Sequence, residues 1–88
     1  RFSMEKSIRV VLVSRRREAA VAVQQALTVH GCIIKTRLGI HDGVAGRCAD
    51  SGLVILELVG EKAERDALAA ALAGIPGVST RLVELAAA

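Results

Sequence analysis

Four side chains in this sequence have the chemistry to hold a soft metal ion: His30, Cys32, His41 and Cys48. Imidazole nitrogen and thiolate sulfur are the ligands that zinc, nickel and copper prefer. Their order is His-x-Cys followed further on by His-x6-Cys, which matches no standard structural zinc spacing. The plain alternative is a histidine at a helix end, where the dipole favours it, a strand cysteine buried as a small apolar residue, and two loop residues. Nucleophilic catalysis finds less support. A cysteine nucleophile needs a base and an orienting group beside it, and alternation along a helix-to-strand junction does not make His30 and Cys32 face each other. The loop Gly39-Ile-His-Asp-Gly-Val-Ala-Gly46 has glycines but no Lys-Ser/Thr pair, so it is not a phosphate-cradling loop. No catalytic residue is assigned, and the chain reads as non-enzymatic.

The charges come next. Residues 1–48 carry nine basic and three acidic side chains, and residues 49–88 carry three basic and six acidic ones. Such a split suits complementarity between copies or an anionic partner for the first half; scattered solvated charge is the simpler account. Arg15, Arg16 and Arg17 form the one basic cluster, at the start of a helix where the dipole disfavours cations, so they extend into water or meet an anion. Aromatic residues make up 1% of the chain. Rings for base stacking are therefore missing, no recognition helix precedes the first strand, and direct nucleic-acid binding is not expected.

These residues must be positioned by regular elements. Ile8–Ser14 reads as a central strand, short, β-branched and apolar on both sides, with Ser14 suited to cap the helix that follows. That helix spans 16–29, with Ala19, Val23, Ala26 and Leu27 on one stripe and Gly31 as a left-handed stop. Cys32–Leu38 reads as an edge strand. Ile34, Thr36 and Leu38 point one way, Ile33, Lys35 and Arg37 the other, and the two charges protect the edge from unwanted pairing. Gly39–Gly52 reads as a long loop, a kind of connection that is often functional or mobile. Leu53–Val59 is a third, strongly apolar strand. Glu61–Ala73 is a helix with Leu68, Ala69 and Leu72 inward and Glu61 and Glu64 at its positive end. Pro76-Gly77 makes a turn into a last strand, Ser79–Leu85, after which three alanines are expected to fray. Lys35, Arg37 and Glu57 are expected on the open sheet face, paired across strands.

The order is βαββαβ. It predicts an α+β, ferredoxin-like domain, with two helices on one face of a four-stranded antiparallel sheet. Residues 1–6 read as a leader, with Met4 a candidate start, and 7–88 as the single domain. Hydrophobic residues are 52% of the 88, which excludes a disordered tail. The apolar runs are too short to span a membrane, no signal peptide is visible, and the two cysteines read as free thiols, so the expected compartment is the cytoplasm. Two helices cover only one side of strands that are apolar on both. Exposed apolar sheet of this kind marks an association surface, and a homo-oligomer, dimer or tetramer, is expected.

The segments His30-Gly-Cys-Ile-Ile-Lys-Thr-Arg-Leu-Gly-Ile-His-Asp-Gly43, Cys48, Gly52-Leu-Val-Ile-Leu-Glu-Leu-Val-Gly60 and Ile75-Pro-Gly-Val78 carry a family likeness. With nearly all of the chain after Met4, they resemble the small proteins named as regulators of iron-only hydrogenase systems. That resemblance implies an ACT-like fold similar to the metal-sensing half of the nickel-responsive repressor, oligomers built from sheets, and a role in transcriptional regulation. Of that repressor's nickel ligands, His30 matches the first-helix histidine. The two second-strand histidines fall on Thr36 and Leu38, and the third-strand cysteine on Gly52. Nickel binding is therefore not carried over, and the repressor's DNA-binding segment has no counterpart here.

The resulting expectation is a non-enzymatic ACT-like regulatory domain that needs no cofactor. It would bind a small effector or a protein partner at a subunit interface, with Arg37, His41 and Asp42 as effector contacts. The alternative is a metal or redox sensor built from His30, Cys32, His41 and Cys48.

Overall fold

A computed structural model of the protein describes residues 4–14, 17–41 and 52–87. Among them are four strands, β1 (Met4–Val13), β2 (Ile34–His41), β3 (Gly52–Leu58) and β4 (Val78–Ala87), and two α-helices, α1 (Arg17–Val29) and α2 (Lys62–Ala73). The sheet is antiparallel throughout, in the order β2-β3-β1-β4. This is the expected ferredoxin-like arrangement, with β1 and β3 central and β2 and β4 at the edges.

Alternation along β1 sorts its side chains. Ser7, Arg9, Val11 and Val13 face the helices and are buried, while Ile8, Val10 and Leu12 face the open side. The core lies between the sheet and the helices. Val11, Val13, Leu56 and Leu58 meet Ala19, Val23 and Leu27 of α1 and Leu68 and Leu72 of α2. The inward spacings of four and four on α1 and of four on α2 keep these residues on single stripes.

The helix ends are set by local chemistry. Glu61 caps α2 in a capping box: its side chain accepts the backbone N–H of Glu64, and its own N–H donates to Glu64 Oε1 at 3.1 Å. Ile75-Pro76-Gly77-Val78 is a tight turn in which the Val78 N–H donates to the Ile75 carbonyl at 3.1 Å. Gly77 sits at φ +88°, the left-handed region that a type II turn requires of its third residue.

Several expectations change. Gly31 is not a left-handed stop, because the positive-φ glycines among the described residues are Gly60 and Gly77. Instead, a 3-10 turn over Gly31–Ile33 carries the chain from α1 to β2, and Cys32 lies in that turn, exposed, rather than in a strand. The terminal alanines do not all fray: Ala86 pairs with Glu5 and Ala87 with Met4, so β1 and β4 both outrun their apolar stretches. The alternation in β2 is also broken. A register shift between Ile34 and Thr36 leaves Ile34 opposite Leu58, packed on the core, and puts Thr36 opposite Glu57 on the open side. A bulge consumes one residue, and every side chain beyond it changes face.

Candidate functional site

The open face of the sheet is built from every second residue of each strand. Paired rows run across it: Leu38 beside Ile55 beside Val10 beside Arg81, and Leu53 beside Leu12 beside Ser79. Ile8 and Val83 continue the apolar surface towards Leu85. No element among the described residues covers it. Leu12 keeps 47% of its surface exposed, Leu38 53% and Leu85 61%. A shallow depression between β1 and β4 is lined by Val10, Leu12, Ser79, Thr80 and Arg81.

Arg81 and Ser79 make the β4 side of this surface polar, and one carboxylate within it is neutralised there. Lys6 Nζ donates to Glu57 Oε2 at 3.2 Å, and Thr36 Oγ1 donates to Glu57 Oε1 at 3.4 Å. The Lys6 hydrogen bond is the main reason the Glu57 carboxyl lies below its ordinary range; desolvation opposes it, and the charges of Lys6 and Lys35 add to the lowering. Cross-strand pairing of Glu57 was expected with Lys35 and Arg37. Its bonded partners are instead Lys6 and Thr36, and Arg37 stands opposite Leu56, on the helix side of the sheet.

The other residues singled out in the sequence are distributed as follows. His30 is half-buried in the turn after α1, and Cys32 is exposed three residues before the Lys35 bulge. His41 ends β2 opposite Gly52. Eight strand residues of β2 hold this end roughly 23 Å from the Ile34 end, beside which Cys32 lies. Arg37 is exposed. Arg17 is exposed at the start of α1. Asp42, Cys48, Arg15 and Arg16 lie outside the described residues. Among the described residues, no group of three or more His, Cys, Asp or Glu side chains comes together. No described helix is long and apolar enough to cross a membrane.

The sequence reading assigned no role to Ser7, Arg9, Arg65 and Thr80. Arg9 lies within Ile8–Ser14, a segment that reads as apolar on both sides. Its surroundings come from β4 and α2, far along the chain, and no local spacing signals them.

No protein-family model matches the chain, and no curated protein matches it. Solved structures do. An uncharacterized protein from Thermotoga maritima superposes with a TM-score of 0.78 at 24% identity, over 93% of this chain and 99% of that one. A nitrogen regulatory PII-like protein from Thiomonas intermedia, bound to ADP, AMP and bicarbonate, superposes at 0.64 with 5% identity, over 99% and 97% of the two chains. The C-terminal domain of the MgtC protein from Mycobacterium tuberculosis gives 0.57 at 18% identity, over 94% and 86%. At these identities the likeness is one of fold. It places the chain among small ferredoxin-like domains, a regulatory-type protein being one of them.

Proposed function

We propose that this chain is a non-enzymatic regulatory domain of the cytoplasm that works as a homo-oligomer. Copies associate through the open sheet face, and a small effector or a partner protein is bound where subunits meet. The observation that carries this reading is the uncovered apolar surface of the four strands, with Leu12 of β1, Leu38 of β2 and Leu85 of β4 each about half exposed or more. Monomers rarely leave so continuous an apolar patch to water. The buried core is small and made of Leu, Val, Ile and Ala, and association would add to it.

The effector half of the reading draws on the PII-like neighbour, whose structure holds nucleotides and bicarbonate. His41 and Asp42 remain the proposed effector contacts, supplied by the end of β2 and the segment that follows; Arg37, on the helix side of the sheet, faces away from the proposed interface and leaves that set. The regulated process we propose is transcription of an iron-only hydrogenase system, on the strength of the sequence resemblance of 30–60 and 75–78. The test is to delete the gene and measure iron-only hydrogenase transcripts. A changed level, restored by the wild-type chain and not by a Leu38→Asp variant, is the expected result. Unchanged transcripts under hydrogenase-inducing and non-inducing conditions would remove this assignment.

A further inference from the structure

β4 is an edge strand, and its alternation sets Ser79 and Arg81 in neighbouring rows of the open face, opposite Leu12 and Val10 of β1. These four residues and Thr80 line the depression between the two strands, whose volume is about 320 Å³. That is the lower end of the range for small-molecule sites. Thr80 reaches it through its backbone. Its side chain is on the other side of the sheet, where Thr80 Oγ1 accepts from Arg9 Nη1 at 3.1 Å.

The phase of the ladder fixes where that backbone points. The Ser14 N–H donates to the Gly77 carbonyl at 2.8 Å, one step beyond the Val13–Val78 pair. Bonded and non-bonded pairs alternate along an antiparallel ladder. Gly77, Ser79 and Arg81 therefore turn their backbone groups towards β1, and Val78 and Thr80 turn theirs off the free edge. The Val78 N–H follows this pattern and donates away from β1, to the Ile75 carbonyl at 3.1 Å. No strand lies beyond the Thr80 N–H among the described residues. Three consecutive residues thus offer donors at the rim of one depression: the Ser79 hydroxyl, the Thr80 N–H and the Arg81 guanidinium.

Nothing in the depression answers these donors. No acid lines it, and Arg81 has no ion pair among the described residues. Glu57, the one acid on the open face among the described residues, is two strands away, roughly 10 Å. Its carboxylate already accepts from Lys6 and Thr36. Association through this face takes Arg81 out of water, and a buried guanidinium without an anion is costly. The walls on the β1 side are apolar, and Leu12 keeps 47% of its surface open to a ligand in the single chain. Such a site suits a molecule with one anionic end and a hydrocarbon body. An ammonium group would find no carboxylate to meet it.

We propose that this depression binds an apolar monocarboxylate. The Arg81 fork holds the carboxylate together with the Ser79 hydroxyl and the Thr80 N–H, and the hydrocarbon lies on Val10 and Leu12. The inference deepens the effector half of the reading above, and it rests on that reading for the burial of Arg81. The donors and the walls belong to a single chain.

The test is a heteronuclear NMR titration of the full chain at constant ionic strength with 4-methylpentanoate. Acetate, which has the charge without the body, and 4-methylpentanamide, which has the body without the charge, are the controls. Saturable shifts at the amides of Thr80 and Arg81 are expected with 4-methylpentanoate. The amide should bind about tenfold more weakly or worse, the effect of losing a charged hydrogen bond. Acetate should also lose about tenfold or more, for want of buried hydrocarbon. Arg81→Gln, a change at an exposed position, should reduce 4-methylpentanoate binding to the level of the amide. Unsaturable shifts with 4-methylpentanoate, equal affinity for either control, or an affinity unmoved by Arg81→Gln would overturn the proposal. Sedimentation of the same samples separates the two readings. Saturable shifts on chains that stay single refute the association and leave this site, and associated chains without saturable shifts refute this site and leave the association.

Discussion

Leu38→Ala is the most informative perturbation of the open face. Leu38 stands opposite Ile55 on edge strand β2 and keeps 53% of its surface in water in the single chain. The monomer therefore has little to lose from its truncation. Complete burial of a leucine side chain is worth about 1.5–3 kcal/mol, so burying the half still exposed is worth about 1 kcal/mol. In a twofold-symmetric association the residue counts once in each copy. The variant should then lose about 2 kcal/mol of association energy, which is roughly thirtyfold in Kd at 1.4 kcal/mol per factor of ten. Sedimentation velocity over a dilution series reads that change, and a circular dichroism melt at the lowest concentration checks that the isolated fold is intact. A Leu38→Asp variant, which would bury a carboxylate in each copy, should sediment as a monomer. Unchanged association of both variants, with intact folds, would show that copies do not meet through this face.

Three further outcomes follow from the geometry. Glu57 has a lowered folded pKa, so the stability it contributes is present above the ordinary carboxylate range and is lost as pH falls through the folded value. Urea melts of wild type and Glu57→Gln should therefore differ at neutral pH and converge in acid; a gap that widens in acid would contradict the assigned direction. Gly77→Ala should destabilise the fold by about 1–3 kcal/mol, because a Cβ at φ +88° is strained and would collide with the Ser14 side chain. A melting temperature equal to wild type would contradict that turn geometry. Leu68→Ala empties a position with no solvent exposure between α2 and the sheet, and should cost about 2–5 kcal/mol in chemical denaturation.

The architecture was legible because its signals are local. The apolar stretches of β1 and β3, the stripes Ala19-Val23-Leu27 and Leu68-Leu72, and the Pro76-Gly77 turn each declare themselves within a few residues. The charges at Lys35 and Arg37 marked β2 as an edge, and it is one. What escaped depends on pairing. Glu5, Lys6, Ala86 and Ala87 have no strand character alone, and they extend β1 and β4 because each lies opposite a partner. The bulge after Ile34 carries no glycine or other marker, so the face of Thr36 and Leu38 relative to Ile34 could not be read from alternation. The hydrogen bonds Arg9–Thr80 and Arg65–Ser7 join residues 71 and 58 positions apart, a distance at which periodicity carries no information.

The central claim is that the 88-residue unit completes its apolar sheet with another copy of itself. Sedimentation equilibrium of the full chain at micromolar concentration tests it most directly. The account predicts a mass of two or four protomers that falls towards one when Leu38 is changed to Asp. A clean single-protomer mass for the wild-type chain across that range would contradict it.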